Sequence, residues 1–172
     1  MDSNKPLVNR VASSGLVNID LEQLLPNDEI VILDIKAFLF MEMILKEKEF
    51  RADLDEYDWS QYQDKVLLVQ CSVDAIIPKW AYMLIAVKAQ KYVKDVFVGT
   101  ESQYYFVDLL RSLDKMDFSQ YQDRRIIVKG CGKRNVDAAA YLEISKQLKP
   151  YAKSIMYGEA CSTVPIFKKP RL

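Results

Sequence analysis

Three cysteines, Cys71, Cys131 and Cys161, are the residues of this chain best suited to chemistry, and no histidine accompanies them. Without an imidazole, Ser-His-Asp and Cys-His mechanisms and zinc sites with His ligands are excluded. The odd number of cysteines, with no Cys-x-x-Cys pair, argues against a secreted disulfide framework and a thioredoxin-like redox motif. Thiolates are soft ligands. If the three share a rim, they suit zinc, copper(I) or an iron–sulfur cluster, with Glu159, Asp74 or solvent as fourth ligand, or a thiol that carries sulfur. The competing reading is that each cysteine is a small buried hydrophobe. Cys131 has the surroundings that favour thiolate, since Lys129, Lys133 and Arg134 flank it and a helix amino end is expected to follow.

A second kind of chemistry is written into the same segment. Gly130-Cys131-Gly132-Lys133-Arg134-Asn135 lies between an expected strand and an expected helix, where free amides and the helix dipole attract an anion. Gly130, Gly132, Lys133, Arg134 and Asn135 are therefore the candidate anion-binding residues for a phosphorylated small molecule or nucleotide. Asn135 stands where the dinucleotide fingerprint has its third glycine, and Glu159 is placed to hold a ribose hydroxyl. The segment running from Cys71 to Pro78 lacks the arginine that a phosphatase-like or rhodanese-like loop uses to clamp an oxyanion. The chain can also be read as an interaction module with structural cysteines.

These residues are positioned by a repeated pattern. Asp58-Trp59-Ser60-Gln61-Tyr62-Gln63-Asp64-Lys65 is echoed by Asp117-Phe118-Ser119-Gln120-Tyr121-Gln122-Asp123-Arg124, and the echo continues until Gly99 falls on Gly158. Residues 58–101 and 117–160 thus read as two copies of strand, helix, strand. The apolar runs 66–70 and 126–129 suit strands covered on both faces. The first helix begins near Pro78 and is expected to turn Trp80, Met83, Leu84 and Val87 inward. The second, over 137–148, aligns Val136, Ala140, Ile144 and Leu148 and stops before Pro150. A linking helix over 102–113, a strand over 29–34 and a charged helix over 46–57 complete the pattern.

The expected fold is α/β, a single domain over 1–172 with residues 1–28 as an N-terminal extension packing on it. Its mainly parallel sheet is flanked by helices in a three-layer sandwich with an internally duplicated βαβ unit. Ligands of such sheets bind beyond the carboxyl ends of the strands, and all three thiols are expected on that one rim of a common sheet.

Composition narrows the setting. A hydrophobic fraction of 50% with 28% charged residues is the balance of a folded protein. Lys plus Arg equals Asp plus Glu at 24 each, so no global positive field gathers nucleic acid or anionic lipid. The first residues lack the apolar stretch of a secretion signal, and no run approaches the ~18 apolar residues of a membrane span. A cytoplasmic protein without nucleic-acid or membrane partners is expected; a homo-oligomer is compatible with the sequence.

Asn9-Arg10-Val11-Ala12, Asp34-Ile35-Lys36, Asp58-Trp59-Ser60-Gln61-Tyr62, Cys71-Ser72-Val73-Asp74-Ala75-Ile76, Trp80-Ala81-Tyr82-Met83-Leu84, Lys129-Gly130-Cys131 and Lys153-Ser154-Ile155-Met156-Tyr157-Gly158-Glu159 carry a resemblance over nearly the whole chain. With Cys161-Ser162-Thr163-Val164-Pro165 they resemble the bacterial family catalogued as domain of unknown function 2480. That family has no established activity to transfer. The resemblance implies an association with iron–sulfur cluster assembly, whose proteins would then be the partners.

Overall fold

The computed structural model describes residues 15–130, 132–159 and 161–170. In chain order the elements are β1 (Leu16–Ile19), β2 (Ile30–Asp34), α1 (Glu47–Glu56), β3 (Val66–Gln70), α2 (Lys79–Ala89), β4 (Asp95–Val98), α3 (Glu101–Asp114), β5 (Arg125–Val128), α4 (Ala138–Leu148), β6 (Ser154–Glu159) and β7 (Ser162–Lys168). Short 3-10 turns at Leu21–Leu24, Ile35–Phe38, Trp59–Tyr62 and Phe118–Tyr121 lie between them. The chain divides into two compact units, one over Asn27–Tyr105 and the other comprising the described residues up to Pro26 and from Phe106 onward.

In the Asn27–Tyr105 unit the strands run in the order β2-β3-β4, all parallel. Val66, Leu67, Leu68 and Val69 of the central strand are all buried. Successive side chains point to opposite faces, so an unbroken apolar run is what a strand covered on both sides requires. Leu67 and Val69 join Leu33, Phe50, Leu54 and Ile85 in one cluster, whereas Val66 and Leu68 pack with Tyr104 in another. Burying each of these side chains contributes roughly 1.5–3 kcal/mol.

The inward face of α2 differs from expectation. Ala81, Ile85 and Ala89 are buried, whereas Met83 and Val87 are 69% and 61% exposed. Lys79–Ala89 is apolar on nearly every side, so helical spacing offers more than one stripe. The stripe bearing two alanines lets the backbone approach the sheet. In α4 the expected face is observed, with Ala140, Ile144 and Leu148 fully buried. The side chain of Asp137 caps it by accepting from Ala139 N at 2.8 Å.

In the other unit the order is β1-β5-β6-β7. β1, β5 and β6 are parallel, and β7 returns antiparallel beside β6. β7 was not anticipated from the sequence. Gly158 permits the return: its φ is 120°, and a Cβ there would lie 2.5 Å from the Ser162 carbonyl oxygen. Pro165 sits in the outermost strand, where a missing donor costs least. β1 was also missed, being part of the segment read as an extension.

The strands of the two expected copies are thus hydrogen-bonded in separate sheets, and among the described residues the common sheet expected from the sequence is not formed. The reason is that β3 and β5 each acquire a partner from ahead of the repeat, β2 and β1 respectively. Local geometry nevertheless recurs at one constant offset. Asp58 and Asp117 each cap a 3-10 turn by accepting from the amide two residues on, at 3.0 and 2.9 Å. Asp64 and Asp123 both have positive φ, 61° and 54°, and their amides donate to Tyr92 and Tyr151 at 2.8 and 2.9 Å. Lys94 and Lys153 donate to Lys65 and Arg124, both at 2.8 Å.

Candidate functional site

The correspondence extends to residues outside the sequence repeat. Ile19 is paired with Val128 and Leu33 with Val69, and Val69 and Val128 hold equivalent places in the two echoing stretches of sequence. Asp20 and Asp34 therefore follow equivalent strand positions at the carboxyl ends of the two sheets. Each caps a 3-10 turn, Asp20 accepting from Glu22 N at 3.1 Å and Asp34 from Lys36 N at 3.0 Å. Asp34 also accepts from Ser72 N at 3.1 Å. The Ser72 hydroxyl and these two amides hold its carboxyl below the usual carboxylate range.

At the next step the two units diverge. The carboxylate of Glu22 accepts hydrogen bonds from the backbone amides of Lys133 and Arg134 at 2.9 and 2.6 Å. Lys36, which holds the equivalent position, instead pairs with Glu42 at 3.1 Å. In the turn after β3 the amide of Ala75 donates to the carbonyl of Val73 at 2.9 Å. Successive amides thus receive an anion after β5, while the turn after β3 folds on itself.

The turn between β5 and α4 has a cavity of about 400 Å³ beside it, lined by Asp20, Glu22, Lys129, Arg134, Tyr141 and Tyr157 among others. That volume lies within the ~300–1,000 Å³ of small-molecule sites. Gly130, Gly132, Lys133 and Asn135 also line it, so all five sequence-predicted anion-site residues border one cavity. The glycines are there for space: a Cβ on Gly130 would lie 2.1 Å from Tyr157 Cζ, and one on Gly132 would lie 2.0 Å from Glu22 Oε2. Tyr157 donates to Gly130 O at 3.2 Å and meets Tyr141 edge-on, with ring centroids 5.6 Å apart. Lys129 pairs with Asp20 at 3.3 Å. The Arg134 guanidinium donates to Pro26 O at 2.7 Å and Leu25 O at 3.4 Å, fastening the turn to the chain beyond β1.

Sequence reasoning missed Asp20, Glu22, Tyr141 and Tyr157. A signal for the first two was present, since Asn18-Ile19-Asp20-Leu21 echoes Ile32-Leu33-Asp34-Ile35. Glu159, expected beside a ribose, is not among the residues lining this cavity; it ends β6 and is paired with Ser162.

Of the four expected metal ligands, Cys71, Glu159 and Cys161 lie among the described residues. Cys71 lies after β3, half-buried against the apolar cluster of its unit, with its thiol donating to Val73 O at 3.4 Å. Cys161 is exposed in the β6–β7 turn, near Glu159. Cys131 lies outside the described residues. Among the described residues no group of three His, Cys, Asp or Glu side chains is placed to hold one ion. No helix among them is long and apolar enough to cross a membrane.

Fold and site together define an α/β protein of mostly parallel strands with a candidate small-molecule cavity at the carboxyl end of β5. The chain belongs to the family described as "Protein of unknown function (DUF2480)", whose model matches residues 5–169. No curated protein and no solved structure matches it.

Proposed function

We propose that this chain binds a phosphorylated small molecule in the cavity beside residues 132–135, with the amides of Lys133 and Arg134 as the anion receptor. The observation that carries the reading is the Glu22 carboxylate, held on those two amides at 2.9 and 2.6 Å. An internal anion on the receptor supports the view that the turn selects negative charge, and a phosphate offers more acceptor oxygens than a carboxylate. Glu22 then acts as a tethered competitor, swinging aside when a ligand enters.

Titration calorimetry with inorganic phosphate tests this. Because a tethered competitor works at roughly millimolar effective concentration or above, Glu22→Ala is expected to tighten phosphate binding by about tenfold or more. Lys133→Ala in the same background should weaken it. Equal, negligible heats in wild type and Glu22→Ala would refute the reading.

Two architectural readings belong with this proposal. The recurring caps and hydrogen bonds support descent of the two units from one duplicated βαβ module, with the anion receptor kept in only one copy. Burial of both faces of β3 supports a three-layer arrangement around its sheet. The thiols of Cys71 and Cys161, free of disulfide bonds, support a reducing compartment such as the cytoplasm.

A further inference from the structure

Beside the polar cavity lies a second, smaller one of about 100 Å³, and the two share Tyr141 and Tyr157 as a common wall. The smaller chamber is lined by Val128, Ile155, Met156 and Ile166, with Ser145 at the helix side. The Ser145 hydroxyl is turned away from any ligand's need of it, donating to Tyr141 O at 2.7 Å. One compartment thus presents backbone amides among charged side chains of both signs, and its neighbour offers a mainly apolar lining.

From this juxtaposition we infer that the ligand is amphipathic, a phosphate ester with a short unbranched alkyl or acyl chain. The phosphate occupies the amides of Lys133 and Arg134, and the chain passes the tyrosine pair into the chamber between α4 and β6. Size suits the chain: a benzene-sized ring occupies a cavity of about 150 Å³, so a chamber of about 100 Å³ matches a few methylenes better than a ring. Tyr157 is 39% exposed and its hydroxyl is anchored on Gly130 O, so the edge-on ring pair can widen the passage by a change of tilt while the turn stays fastened. This inference rests on the anion site proposed above and adds the second half of the ligand.

The test compares methyl phosphate with n-butyl phosphate by titration calorimetry on full-length Glu22→Ala protein. Three additional methylenes, each gaining roughly fourfold when buried, should make n-butyl phosphate bind at least tenfold more tightly. Ile166→Ser added to that background removes one apolar wall at a half-exposed position, leaving the fold intact. It is expected to cut the advantage to threefold or less while methyl phosphate affinity stays within about twofold. Equal affinities for the two esters in the Glu22→Ala protein, or an advantage that survives Ile166→Ser, would overturn the apolar chamber while leaving the anion site standing. Failure of both esters and of inorganic phosphate to bind would overturn the anion site and this inference with it.

Discussion

Glu22 and Gly132 make a pair whose logic can be tested by substitution at the glycine. A methyl group on Gly132 would collide with the far end of a flexible side chain, so the carboxylate moves and the backbone stays. Gly132→Ala should therefore displace Glu22 without the tenfold gain in phosphate affinity expected of Glu22→Ala, because the methyl takes part of the space an anion needs, and it should lower the melting temperature only slightly. Asp34 supplies a second prediction. Its carboxyl is held below its ordinary value by Ser72 and two amides, so the folded state gives up the proton more readily than the unfolded chain. The stability this contributes is present above the unfolded pKa of about 3.9 and is lost as pH falls through the lower folded value. Denaturant titrations from pH 6 to pH 2 should show a smaller acid-induced loss in Asp34→Asn than in wild type. At this scale the sequence disclosed the turn, because two glycines and two cations between a strand and a helix are a local pattern. It concealed Glu22, which reaches the turn from a place in the chain more than a hundred residues away.

Among the elements, α2 and α4 separate what periodicity can and cannot decide. The polar residues of α4 interrupt every apolar row but that of Ala140, Ile144 and Leu148, which is the buried one, and Leu142 is left exposed. With apolar residues all around it, α2 offers several stripes, and the choice falls to packing against β3. Had the repeat been used as the guide, Ala140, Ile144 and Leu148 would have pointed to Ala81, Ile85 and Ala89. The assignment predicts that Ile85→Ala costs about 2–5 kcal/mol in chemical denaturation. Met83→Ala should cost about 0.5 kcal/mol or less. Comparable losses would mean that the helix presents a different face. The strands β1 and β7 escaped the sequence reading for another reason. Leu16–Ile19 is only four residues long, and Ser162–Lys168 carries a proline, so neither has the apolar run that marks a central strand.

Across the whole molecule, the repeat was legible as sequence identity, but the sheets it enters were not. Strand order depends on which segment pairs with which, and β1 and β2 lie ahead of the repeated pattern. In place of the one common sheet expected, the described strands form two. β3 in one unit, and β5 and β6 in the other, have neighbours on both sides, and β3 and β5 carry the unbroken buried runs. Native-state amide exchange should accordingly show the slowest amides at residues 66–69 and 126–128, with edge strand β7 exchanging earlier. Protection confined to one of these two strands would contradict the parallel architecture of the units.

The most direct measurement follows the amide resonances of Lys133 and Arg134 while inorganic phosphate is added to isotopically labelled wild-type and Glu22→Ala protein. The account predicts large, saturable shifts of these two amides, reached at much lower phosphate concentration once the carboxylate is gone. Unmoved resonances at both positions in the Glu22→Ala protein, under phosphate that shifts other amides, would contradict it.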